Sequence, residues 1–335
     1  MHQECAMAAA DVSVRSPPLV RHRARRGLAI YFGMLVPLSA VFQVLLIKTG
    51  NWVWVIPLMW SPAVASMVAR LVLREGISDV SFRVGGRRGW QANLMAVGFP
   101  IVIGAAVYGI AWMTGLARFD PRPGRLAALL IADSASPVAV FLVMLALAAT
   151  IGTVVGILTA AGEEIGWRGY MLTRLIDAGI PRPILVSGLI WGLWHVPVIL
   201  GAGYAAGPSP AVSAVLLVAL ATAFGFVFAR LRLETGSVWP AIILHAGWNS
   251  IIQSGFDAAR SGGSRSNLHD DASWWVGESG ALTVIAMIIA AIIFSQGRRT
   301  IRSEPRVRNT AGTAMRNTAA PDPPSISPRG SCRPT

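Results

Sequence analysis

Eight runs of about 20 apolar residues divide this 335-residue chain, and about 20 is the length an α-helix needs to cross the hydrocarbon core of a bilayer. They fall at 28–47, 52–73, 94–116, 138–161, 183–200, 212–229, 238–252 and 281–294. Lipid offers the backbone no hydrogen-bond partners, so spans of this length must be helical. The expected fold is all-α, a polytopic transmembrane helical bundle of about eight spans. Composition agrees, because hydrophobic residues make up 54% and charged residues 13%, with a mean hydropathy of +0.56. Soluble domains carry roughly a quarter charged residues, and a disordered chain would lack the apolar content.

The net charge of +13 first looks like a nucleic-acid signature. The 29 basic residues, of which Lys48 is the only lysine, instead lie mostly between apolar runs, so no nucleic-acid partner is expected. With the amino terminus inside, 23 of them fall on the inner side and 6 on the outer. The positive-inside rule then predicts a multi-pass protein of the cell membrane with both termini cytoplasmic. Residues 1–26 and 298–335 read as disordered basic tails around a transmembrane domain at 27–297. Cys5 and Cys332 sit in those tails and make neither a disulfide framework nor a thiolate cluster. The chain shows no internal repeat, phosphate-binding loop, GxSxG elbow or HExxH pair.

Ionisable residues within spans are expensive and point to function. Glu163-Glu164 follows the fourth run, while His195 and the pair His245 and Asn249 interrupt the fifth and seventh. The helix carrying Glu163 should continue past Arg174 and stop at Asp177-Ala-Gly179-Ile-Pro181. Glu163 and His195 each lie 16 residues from Gly179, so an antiparallel hairpin puts both about 24 Å from the turn. His245 and Asn249 lie 10 and 14 residues beyond the turn near Thr235, at a comparable level, and share one helix face. Glu164 and Arg168 are spaced as an ion pair and read as structural support. Glu163 points about 100° away from Glu164 and must do a different job. The small pairs Gly152/Gly156, Gly162/Gly166 and Gly188/Gly192 suit close helix packing.

A carboxylate, two imidazoles and a carboxamide without a spaced Ser or Cys nucleophile favour activating water. The carboxylate takes the proton, one imidazole orients the water, and the other donors stabilise a tetrahedral oxyanion. Glu163, His195 and His245 could alternatively hold Zn²⁺ with water in the open position.

Glu163-Glu164-Ile-Gly-Trp-Arg168, Trp191-xxx-His195 and His245-xxx-Asn249, in that order, resemble the three motifs of the CAAX-protease and bacteriocin-processing family. That family includes Rce1-type prenyl-protein endopeptidases and lysostaphin-resistance-type membrane proteins, and the resemblance covers about 138–254. It implies an intramembrane endopeptidase, classed with metalloproteases. Glu163 and His195 would activate water, His245 and Asn249 would stabilise the oxyanion, and Glu164 with Arg168 would support the site. Trp191 stands where the motif often begins with Phe. The implied partners are the lipid bilayer and a membrane-embedded or lipid-anchored peptide or protein substrate. Two other functions share the pattern: a proton-coupled transporter using Glu163 and the histidines as a relay, and a non-catalytic scaffold or immunity protein.

Overall fold

A computed structural model of the chain describes residues 17–132, 134–205, 207, 209–260 and 271–296. Within them eight main helices follow the eight apolar runs: α1 (Pro18–Thr49), α2 (Val55–Val72), α3 (Gly86–Thr114), α4 (Pro137–Asp177), α5 (Pro183–Ala202), α6 (Pro210–Thr235), α7 (Trp239–Gly247, continued as a π-helix over Trp248–Phe256) and α8 (Ala281–Gln296). Proline supplies the start of α1, α4, α5 and α6, where its missing N–H is no loss. Ser136 and Ser209 cap α4 and α6 through bonds from Ala139 N and Val212 N, both 3.3 Å. α4 ends at Asp177 with Gly179 at positive φ, the stop its sequence predicts.

Among the described residues six helices are long and apolar enough to cross a membrane, and α7 and α8 follow the two shortest of the apolar runs. α8 has 16 residues, about 24 Å at 1.5 Å per residue, against a core of roughly 30 Å. α7 is α-helical for only nine residues before its π-helical stretch. The first described residues belong to α1. α1 begins at Pro18, so residues 18–26 are helix. Hydropathy hides this because Arg21, Arg23, Arg25 and Arg26 lie there. Arg23 extends from this segment to Glu75 Oε1 (3.0 Å) and Leu73 O (2.6 Å). The rest of that tail, through residue 16, and the tail expected at 298–335 lie outside the described residues, as do Cys5 and Cys332.

α5 lies along α6, α2 along α1 and α4, α7 against α3 and α4, and α8 against α6. Small residues permit two of these approaches. A Cβ on Gly166 of α4 would sit 2.3 Å from Pro62 Cβ of α2, and one on Gly188 of α5 would sit 2.8 Å from Thr222 O of α6. α4 is not a uniform α-helix, since π-helical turns interrupt it at Ala148–Gly152 and Trp167–Met171. The second turn follows the Glu163-Glu164 pair directly, and such insertions concentrate at functional sites.

A polar latch closes one end of α4. The connection from α2 to α3 brings Glu75 and Asp79 onto Arg174, at 2.7 and 3.0 Å. Arg70 pairs with Asp79 and donates to Gly169 O at 3.0 Å, inside the π turn. Burial alone would raise the Asp79 carboxyl, but the hydrogen bond and charge of Arg70, with the charge of Arg174, hold it below the usual carboxylate range.

Candidate active site

Two adjacent glutamates on α4 are almost wholly enclosed, Glu163 at 2% exposure and Glu164 at 0%. Neighbours on a helix point about 100° apart, and these two have different partners. Glu163 Oε2 accepts from Trp167 Nε1 (3.1 Å), one turn along, and from Trp191 Nε1 (2.8 Å) on α5. Glu164 Oε1 accepts from Arg168 (2.8 Å), the ion pair that the spacing predicts. The same oxygen lies 2.8 Å from His245 Nδ1, which its sequence position did not indicate. Arg168 is buried with its guanidinium 4.3 Å from the Trp191 ring and 4.0 Å from the Phe228 ring.

The histidines are oriented through their Nδ1 atoms. His195 Nδ1 is 2.8 Å from Trp191 O in its own helix. A carbonyl only accepts, so Nδ1 carries the proton and neutral His195 keeps Nε2 as an acceptor. His245 Nδ1 faces a carboxylate and is likewise a donor. An imidazolium at His245 would present a second donor at Nε2, with Glu164 as its counter-ion.

Trp191 joins these parts. Its indole N–H holds Glu163, its carbonyl holds His195, and its ring lies 5.6 Å from each histidine ring. The hairpin register puts Glu163 level with His195, whereas the bond crosses to Trp191, one turn nearer the connection. The π turn at Trp167–Met171 accounts for about one residue of the shift, roughly 1.5 Å, and the long Glu163 and Trp191 side chains span the rest.

His195, His245 and Asn249 together line a cavity of about 30 Å³, with Trp191 and Trp248 among its walls. That volume admits water, since a single molecule needs about 10–15 Å³ of such space. Three of the four residues expected to form the centre thus face one small space. Glu163 is not among the lining residues and touches Trp191, which is.

Residues 135–251 match a family model described as Type II CAAX prenyl endopeptidase Rce1-like. This segment, about a third of the chain, is similar to that family. It contains Glu163, Glu164, Arg168, His195, His245 and Asn249, on helices α4, α5 and α7. With several membrane-length helices around it, the chain is a multi-pass membrane protein. No curated protein matches the chain.

Among the described residues no three His, Cys, Asp or Glu side chains form a metal-binding group, so Glu163, His195 and His245 are not assembled as the alternative Zn²⁺ site.

Sequence reasoning missed one wall of the cavity. Glu278, just before α8, lines it and accepts from Trp248 Nε1 at 2.9 Å. Tyr204, just after α5, lines it as well and stacks on the His195 ring at 5.9 Å. Both lie in connections outside the apolar runs. The one available signal was a lone acid in Trp274-Trp275-Val-Gly-Glu278-Ser-Gly.

Proposed function

We propose that this chain is an intramembrane endopeptidase that hydrolyses a peptide bond of a membrane-embedded or lipid-anchored substrate with activated water. The carrying observation is the small cavity walled by His195, His245 and Asn249 inside a segment similar to the Rce1-like family. In this reading water sits against His195 Nε2. Glu163 takes its proton as the water oxygen attacks the carbonyl carbon. Both bonds described for Glu163 use Oε2, so Oε1 is the oxygen assigned to the proton. The oxyanion accepts from the Asn249 amide and from His245 as imidazolium, whose charge Glu164 balances. Arg168 pairs with Glu164 from the other side. Trp191 fixes the spacing between Glu163 and His195.

A site among apolar helices suits a scissile bond delivered from the bilayer. The basic-residue asymmetry orients both termini toward the cytoplasm in this reading. The test uses the purified full-length chain in lipid nanodiscs with a fluorophore-quenched, prenylated CAAX peptide. Cleavage is expected from the wild type and not from His195→Ala at equal folded concentration. Loss of proton-linked solute uptake in the same variant, with no cleavage by either protein, would replace the protease by a transporter.

A further inference from the structure

Three consecutive residues ahead of α8 are each tied to a different element. Gly277 N donates to Tyr108 OH of α3 at 3.0 Å, with φ +87 at Gly277. Glu278 Oε1 accepts from Trp248 Nε1 of the π-helical stretch. Ser279 Oγ donates to Ala205 O at 2.8 Å, and Ser213 O of α6 lies 3.2 Å from the same hydroxyl. Tyr108 in turn donates to Asp257 at the end of the π-helical stretch. A connection secured this way presents one carboxyl, 7% exposed, to the cavity of His195, His245 and Asn249.

Peptide hydrolysis needs a proton for the leaving amine, which departs poorly as an amide anion. The other cavity groups do not offer one. Neutral His195 presents an acceptor, Asn249 cannot ionise, the Nε2 proton of His245 is directed at the oxyanion, and burial pushes the Tyr204 phenol well up so that it holds its proton. Among the described lining residues Glu278 is the one carboxyl. We propose that Glu278 is the general acid that protonates the leaving amine, a proposal that rests on the endopeptidase reading.

The step balances. Water oxygen bonds the carbonyl carbon and its proton goes to Glu163. Collapse of the tetrahedral species breaks the C–N bond while the Glu278 proton goes to nitrogen. The products are a carboxylic acid and an amine, leaving Glu163 protonated and Glu278 ionised. Exchange through solvent returns the proton from Glu163 to Glu278.

The surroundings suit a carboxyl that stays protonated. Burial pushes Glu278 up and the negative charge of Asp257 adds to this, against hydrogen bonds from Gln253, Tyr204 and Trp248. Those three partners are neutral donors. The titratable and charged groups facing it are His195 of α5, Tyr204 beyond α5, His245 of α7, and Asp257 with its neighbour Arg260 (3.7 Å).

The test compares amide and ester cleavage by the full-length chain in nanodiscs, using the quenched prenylated CAAX peptide and its ester analogue at the scissile bond. An alkoxide departs without prior protonation far more readily than an amide anion. Glu278→Gln should therefore lower amide kcat about 100-fold, the usual scale of general-acid catalysis, and leave ester kcat near wild type. It should also abolish the fall of wild-type amide cleavage at alkaline pH. Equal losses on amide and ester, or no loss on either, would overturn the proton-donor role while leaving the endopeptidase reading intact. Failure of the wild type on both substrates would remove the reading itself. Infrared difference spectra give an activity-free check: the carbonyl stretch of a protonated carboxyl should be present in the wild type at neutral pH and lost in Glu278→Gln. Identical spectra would overturn the assignment even in an active protein.

Discussion

α4 passes through two clusters of sheltered charge, and their carboxylates are held in different ways. In the latch, Glu75 and Asp79 meet guanidinium groups of Arg23, Arg70 and Arg174. Around the cavity, the bonds described for Glu163 come from two indoles, and Glu278 is bonded by an indole, a phenol and a carboxamide. A guanidinium beside a carboxylate fixes its charge, whereas neutral donors orient it and leave its protonation free to change. Glu164 stands between the two cases, with Arg168 on one side and His245 on the other. The contrast separates carboxylates that hold the fold from carboxylates that can move protons.

The largest expected effect lies in the cavity itself. Alanine at His195, His245 or Asn249 should each lower kcat by about 10³-fold or more, with double variants losing little beyond that, because cooperating groups are non-additive. Multiplicative losses in peptide cleavage would mean that they support the fold separately.

Glu164→Gln should break the boundary between the clusters. Arg168 would be left with a neutral partner at full burial, lowering stability by about 3 kcal/mol, readable as a lower melting temperature in detergent. Sequence spacing made Glu164 a support residue whose loss spares activity in the folded fraction. Its bond to His245 changes that expectation: activity per folded molecule should fall as well. Full specific activity in the surviving fraction would return Glu164 to a purely structural role.

Trp191→Phe keeps an aromatic face for Arg168 but removes the N–H that Glu163 accepts. A buried bond to a charged group is worth about 2 kcal/mol, so the variant should melt lower and cleave roughly tenfold more slowly. Unchanged kinetics would show that Trp191 does not position Glu163.

The smallest effect is the acid response of the latch. Asp79 is held below the ordinary carboxylate range, so its contribution to stability is full above the unfolded value and is lost as pH falls through the folded one. Melting curves of wild type and Asp79→Asn should converge under strongly acidic conditions and separate toward neutral pH. Parallel curves at all pH values would remove Asp79 from the latch.

Much of this arrangement could be read from the chain, for a physical reason. A polar residue inside an apolar run is costly, so Glu163, His195, His245 and Asn249 stand out against their own helices. Glu164 and Arg168 were legible because a helix makes i and i+4 neighbours. The π turn after Gly166 was not legible, and neither was the Trp191 indole from which Glu163 accepts. Glu278 was hidden for another reason. Its connection has no period, and its place depends on bonds to Tyr108, Trp248, Ala205 and Ser213, which sequence spacing does not reveal. The first turns of α1 were masked by their arginines, which reduce hydropathy while leaving helix formation intact.

The central claim is that neutral-donor carboxylates carry the chemistry and guanidinium-paired ones carry the fold. Its most direct test is a side-by-side measurement of peptide cleavage and detergent melting on purified Glu163→Gln and Asp79→Asn. Glu163→Gln keeps the shape and hydrogen-bonding capacity of the side chain but cannot take a proton, so it should melt near wild type and show no cleavage. Asp79→Asn should melt lower and retain wild-type kcat in its folded fraction. Cleavage by Glu163→Gln at the wild-type rate, or a folded but inactive Asp79→Asn, would contradict the account.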